Sequence, residues 1–157
     1  MPLSLSKNRK DNMEHTIAGI GLALMLGLPG AGSAIGLATG GAAVLGMIQK
    51  KPEAFGTGLV LSGLPATQGL YGFVGFIIYS AEMNETITLF KAGVIMGAGL
   101  ALGLAGFFSA MHQGKVCANG INAIGNGHDV FGKTMILAAF PEFYAILALT
   151  GAILLSQ

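Results

Sequence analysis

Val130-Phe-Gly-Lys-Thr-Met-Ile-Leu-Ala-Ala-Phe-Pro-Glu-Phe-Tyr-Ala-Ile-Leu-Ala-Leu-Thr-Gly-Ala-Ile-Leu-Leu-Ser156 carries only two charges, Lys133 near its start and Glu142 near its centre. A helix rises about 1.5 Å per residue and the hydrocarbon layer is about 30 Å thick, so roughly 20 such residues cross it. The run is continuous rather than alternating, which argues for a helix and against a strand of a β-barrel. Working outward, uncharged runs cover residues 15–49 and 54–81, and a third apolar run, carrying only Lys91 and Lys115, covers residues 89–121. Short polar stretches separate them: Lys50-Lys-Pro-Glu53, Glu82-Met-Asn-Glu85, and residues 119–129. Residues 1–14, with Lys7, Arg9, Lys10 and Asp11, read as a polar N-terminal tail. The first run is too long for a secretory leader, and three like it follow. The fold expected is an all-α membrane protein with four transmembrane helices.

Composition agrees. Charged residues make 10% of the 157, hydrophobic residues 53%, and mean hydropathy is +0.71. Ordinary soluble domains carry about 25% charge. Eight Lys and Arg against seven Asp and Glu leave no basic surface for a nucleic-acid backbone. The lone Cys117 excludes an internal disulfide. Residues 27–41 are glycine-rich but lack the closing Gly-Lys-Ser/Thr of a phosphate loop.

The chain repeats itself at an offset of 76 residues. Gly21, Leu24, Leu26, Gly27, Leu28, Gly30, Ser33, Ala34 and Ala42 recur as Gly97, Leu100, Leu102, Gly103, Leu104, Gly106, Ser109, Ala110 and Ala118. Phe55, Gly56, Leu61 and Pro65 recur as Phe131, Gly132, Leu137 and Pro141. This is a duplicated helical hairpin, 15–81 and 82–157, and each half crosses twice, so both copies share one orientation. Gly32, Gly36 and Gly40 in the first span, and Gly99, Gly103 and Gly106 in the third, line one helical face each. In lipid, helices associate through close backbone approach at small residues. These faces suit a homo-oligomeric ring crowded on its inner radius, or ordinary packing within one bundle.

Glu142 is the candidate functional residue. A bare carboxylate at mid-membrane costs several kcal/mol, so it is protonated, paired or reached by water. Its repeat counterpart is Ala66, so two hairpins share one acid. Thr67 and Gln68 lie at comparable depth in the second span and Gln113 in the third. Pro65 removes an amide and frees or shifts the carbonyls of Leu61 and Leu64. Tyr71, four residues from Thr67, is placed to reach the carboxylate. One carboxylate among hydroxyl, amide and carbonyl oxygens is hard-cation chemistry, with no thiolate or imidazole cluster for zinc. A proton carried by Glu142 alone, with the neutral acid hydrogen-bonded, is the alternative. His112 reads as a packed neutral histidine and Cys117 as a small packing residue.

Three segments resemble the proteolipid rotor subunit of V-type ATPases, the duplicated relative of the c subunit of ATP synthases: Leu64-Pro-Ala-Thr-Gln-Gly-Leu-Tyr-Gly-Phe73, Phe108-Ser-Ala-Met-His-Gln-Gly-Lys115 and Ala138-Ala-Phe-Pro-Glu-Phe-Tyr-Ala-Ile-Leu147. The resemblance covers nearly the whole chain from about Ala18, and is closest to the bacterial sodium-translocating branch. It implies Na+ held by the Leu64 carbonyl, Thr67, Gln68, Gln113 and Glu142, with the Tyr71 hydroxyl beside Glu142. It also implies identical copies in a ring, a membrane stator subunit with half-channels, central stalk subunits at the hairpin turns, lipid around the ring, and a multi-pass place in a bacterial cell membrane. The subunit would have no catalytic site of its own and would drive or use ATP turnover in a soluble sector. The rivals are an H+ rotor of the same family, a small channel or transporter, and a structural scaffold. Cations divide four and four between the two sides, so the positive-inside rule gives no orientation. Pro141, directly before the acid, is a departure expected to bend the fourth helix.

Overall fold

The computed structural model describes residues 2–83 and 87–157, so Met1 of the tail and part of the 82–85 turn lie outside the described residues. Helix α1 is Pro2–Ile48 and α2 is Phe55–Gly63, and α3 is Thr67–Ser80. Helix α4 is Leu89–Gly125, and α5 is Phe131–Leu155. Short 3-10 turns, Pro52–Ala54 and Leu64–Ala66, precede α2 and join it to α3, making one bent span. Four helical stretches are long and apolar enough to cross a membrane: Asn12–Ile48, Pro52–Ser80, Leu89–Gly125 and Phe131–Leu155. Residues 2–14, read above as a tail, are the first turns of α1. Helix α4 begins at Leu89, the repeat counterpart of Met13, so this extension belongs to the first half only. Helix α4 continues through the polar stretch to Gly125, because nothing before Gly127, with φ +93°, breaks its backbone.

Helices α1 and α4 pack side by side, and glycine makes the contact possible. A Cβ on Gly32 would lie 2.5 Å from the Phe107 carbonyl oxygen, and one on Gly114 2.5 Å from Gly36 Cα. One on Gly99 would strike the Gly21 carbonyl, and one on Gly103 would lie 2.8 Å from that of Leu24. Gly106 and Gly72 make a slot for the Pro29 ring, each with its Cβ position 2.8 Å from a ring carbon. The stripe on α1 divides between two neighbours: Gly36 faces α4 and also Pro65, whereas Gly40 lies against Ser62 of α2. These glycines are therefore used inside the single chain.

Two apolar cores fill the ends of the bundle. One gathers Ala18, Leu22, Met25, Tyr79, Ile95, Ala98, Leu102 and Ala152. The other gathers Val44, Met47, Leu61, Cys117, Ile121, Ile124 and Ala138. Between them lies a layer of polar side chains, from Ser33, Gln68, Ser109 and Gln113, all buried. Polar ties close both ends. The Tyr79 hydroxyl donates to the Ala152 carbonyl at 2.6 Å, and Lys91 pairs with Glu82 at 2.8 Å. At the hairpin-turn end, Lys50 Nζ donates to Asn126 Oδ1 at 2.9 Å, joining counterpart positions of the two halves.

Candidate ion-binding site

The two mid-span prolines act differently. At Pro65 the helix tightens to 3-10: the Leu64 amide donates to the Leu61 carbonyl, and the Thr67 amide to that of Leu64. The Leu61 carbonyl, expected to be freed, is thus occupied, because the tighter turn supplies an i+3 donor where the proline ring removed the i+4 one. The Leu64 carbonyl also accepts from Thr67 Oγ1 at 3.1 Å. At Pro141, by contrast, α5 runs on unbroken. Side chains from α4 reach the backbone around it: Ser109 Oγ donates to the Pro141 carbonyl at 2.8 Å, and Gln113 Nε2 to that of Ala138 at 3.0 Å. Donors from a neighbouring helix are one of the ways a proline is accommodated in a span.

The carboxylate sits where α3, α4 and α5 meet. Tyr71 Oη donates to Glu142 Oε1 at 2.7 Å, and Gln113 Nε2 to Oε2 at 2.9 Å. Gln113 Oε1 accepts from Gln68 Nε2 at 2.9 Å, and that nitrogen also donates to Ser109 Oγ at 3.0 Å. Thr67 Oγ1 lies 3.2 Å from Gln68 Oε1. Glu142, Tyr71, Gln113 and Gln68 therefore form one hydrogen-bonded chain, with the Thr67 hydroxyl in reach of both Gln68 Oε1 and the Leu64 carbonyl. Gln68 and Gln113 are wholly buried, while Glu142, Tyr71 and Thr67 are half-buried.

Among the described residues no lysine or arginine lies within ion-pair distance of Glu142. Its two donors are neutral, so burial leaves the negative charge of the carboxylate unbalanced. A monovalent cation among the surrounding oxygens or a proton on the acid would balance it.

Sequence reasoning missed two residues of this layer. Ser33 and Ser109 are counterparts in the repeat. Ser33 Oγ accepts from the Gly69 amide at 2.8 Å, whereas Ser109 joins the cluster. Their recurrence at the 76-residue offset was the available signal. His112 is exposed rather than packed, because its face of α4 has no partner within the chain; it lines an apolar groove of about 410 Å³ with Leu104, Phe108, Pro141 and Tyr144. Cys117 is buried in the core at the hairpin-turn end.

Comparison with known proteins separates this arrangement from other small helical bundles. The sequence profile of the ATP synthase C subunit matches residues 20–79 and again residues 96–155, two segments whose starts are 76 residues apart. The chain belongs to the ATP synthase C-subunit family. Members of this family are ring-forming membrane proteolipids, ion-translocating rotor components with no catalytic site of their own. The chain is similar to the A-type ATP synthase subunit K of Methanocaldococcus jannaschii, 39% identical over 88% of this chain and 61% of that protein. It therefore spans about three-fifths of the archaeal subunit's length. It is 37% identical to the V-type sodium ATPase subunit K of Enterococcus hirae, over 80% of this chain and 81% of that one. The 16 kDa proteolipid of the human V-type proton ATPase is 26% identical over 80% of this chain and 81% of its own length.

Proposed function

We propose that this chain is the rotor-ring subunit of an A/V-type rotary ATPase and that each copy carries one Na+ across the cell membrane. The carrying observation is the uncompensated carboxylate: Glu142 is held by two neutral donors, Tyr71 and Gln113, and Gln113 links it to a layer that also holds Gln68, Thr67 and the Leu64 carbonyl. A proton needs only the acid. Oxygens gathered around it are what a small hard cation uses in place of its water.

The mechanism follows from charge. With Na+ bound, the site is neutral and that face of the ring can meet lipid at little cost. At the stator, a half-channel supplies water and a fixed cation competes for Glu142, so the ion leaves while another copy loads. Turning the ring against the soluble sector couples this transfer to ATP hydrolysis or synthesis. The hairpin turns, with a polar cleft lined by Lys51, Glu53, His128 and Asp129, are the surface offered to the central stalk on the cytoplasmic side. Residues 15–81 and 82–157 are then two hairpins, the second carrying the acid, and residues 1–14 a polar extension that α1 continues. A bacterial membrane is the proposed setting, and nucleic acid has no part in it.

Repeat geometry supports the ring. The face of α4 that packs on α1 holds Gly99, Gly103, Gly106, Ala110 and Gly114, with counterparts Ala23, Gly27, Gly30, Ala34 and Ala38 on α1. Those five are exposed. The groove beside His112 is the counterpart of the surface on the first hairpin that α4 fills. The same contact repeated between chains seats the small stripe of one copy in the groove of the next.

The test is carbodiimide labelling of Glu142 in purified rings across a sodium titration at fixed pH, since the reagent attacks the protonated, unoccupied acid. Protection by Na+ and not by K+ supports the Na+ reading. Labelling that follows pH and ignores Na+ favours the H+ reading, which the resemblance to the human proteolipid supports, and removes Thr67, Gln68 and Gln113 as ligands.

A further inference from the structure

From the direction of the hydrogen bonds around Gln68 we infer that Ser109 is a positioning residue, setting which end of the Gln68 amide faces the ion; this rests on the Na+ reading above. The polarity of the network follows from its ends. Backbone carbonyls only accept, so the Ser109 proton goes to the Pro141 carbonyl at 2.8 Å and the Gln113 nitrogen to the Ala138 carbonyl at 3.0 Å, whatever the protonation state of Glu142. With its proton committed, Ser109 Oγ is an acceptor for Gln68. With its nitrogen committed, Gln113 presents Oε1, a second acceptor. Gln68 Nε2 meets both, at 3.0 and 2.9 Å, and spends its two protons on them. Only then is Gln68 Oε1 turned, without competition, to the side where Thr67 Oγ1 stands 3.2 Å away.

Ser109 is itself 5% exposed and acts through Gln68 rather than as a ligand. Its counterpart Ser33 accepts from a backbone amide, that of Gly69, and among the described residues makes no bond to a glutamine. Removing the Ser109 hydroxyl leaves one Gln68 proton without an acceptor and lets the amide turn nitrogen-first toward the cation. A buried donor left unpaired is costly, and an amide nitrogen facing Na+ is repulsive.

The experiment measures the Na+ concentration that half-protects Glu142 from carbodiimide in assembled rings of wild type, Ser109→Ala, Ser109→Cys and Ser33→Ala. The thiol of Ser109→Cys is nearly the shape of serine but a weak hydrogen-bonding group, so it carries the test if the alanine variant fails to assemble. The expected result is a midpoint raised about tenfold in Ser109→Ala and in the same direction in Ser109→Cys. Ser33→Ala should stay near wild type, and the pH dependence of labelling without Na+ should be unchanged in all. Midpoints at the wild-type value in both Ser109 variants overturn the inference. So does a parallel shift of the pH dependence, which marks a packing role. Absence of Na+ protection in wild type is the separate failure of the Na+ reading.

Discussion

Gln113→Leu separates a cation site from a protonatable acid with little change in shape. The side chain is wholly buried, so a leucine of similar volume leaves the α1–α4 contact intact. Three bonds disappear: to Glu142 Oε2 at 2.9 Å, to the Ala138 carbonyl at 3.0 Å, and from Gln68 at 2.9 Å. The last two are present whether or not the ion is bound, so their loss lowers stability and largely cancels in affinity. The bond to Glu142 does not cancel, since a bond to a carboxylate is about twice as strong as one to the neutral acid that replaces it when the ion leaves. That difference is about 1 kcal/mol, and losing the Oε1 ligand adds about 2 kcal/mol. Together about 3 kcal/mol corresponds to a loss in Na+ affinity of roughly 150-fold. Radioactive sodium binding to purified rings measures this directly. A variant that assembles and binds Na+ within threefold of wild type would refute the placing of Gln113 among the ligands.

Three other perturbations address the scaffold. Gly114→Ala puts a methyl 2.5 Å from Gly36 Cα, which parts α1 and α4 and costs about 1–3 kcal/mol, read as a lower unfolding temperature in detergent. Ala34→Leu, on the exposed stripe of α1, should leave the chain folded but monomeric, seen by native mass spectrometry; wild-type ring yield contradicts the proposed inter-copy contact. Tyr79→Phe removes the 2.6 Å tie to Ala152 and should cost about 1 kcal/mol of stability while leaving the Na+ midpoint where it was.

The fold was legible because the bilayer imposes strong rules: apolar runs above span length with few charges are helices, and an ungapped 76-residue repeat pairs them. What the runs did not disclose depends on partners from another helix. Pro65 and Pro141 occupy the same repeat position, yet one tightens its helix and the other does not. The difference lies with Ser109 and Gln113, which reach the α5 backbone, whereas Ser33 reaches the Gly69 amide. No property of the proline segments themselves encodes that. The residue types around Glu142 were visible as hard-cation oxygens, but the direction of each amide was not, since direction is decided by which neighbours can only accept. Gly40 was grouped with Gly32 by spacing, and its partner proved to be Ser62 because the stripe turns with the helix.

The duplication also explains how one junction became a site and the other did not. At the counterparts of Leu64, Thr67, Gln68, Tyr71, Gln113 and Glu142 stand Phe140, Phe143, Tyr144, Leu147, Leu37 and Ala66. The second junction forms, in the proposed ring, between neighbouring chains, with small residues at the counterpart positions of α1 and no acid. In the proposed ring, ions per revolution then equal the number of chains, half the number of hairpins. For a ring of given circumference, the work of each ATP is divided among half as many ions, and each ion can be moved against a gradient whose free energy is about twice as large. Restoring the acid tests this reasoning at its root. Ala66→Glu alone should not yield a second Na+ per chain in sodium binding to purified rings. Its counterpart neighbours, Leu37, Phe143 and Tyr144, supply one hydroxyl in place of two amides and a hydroxyl. A stoichiometry of two would mean that the carboxylate alone makes the site.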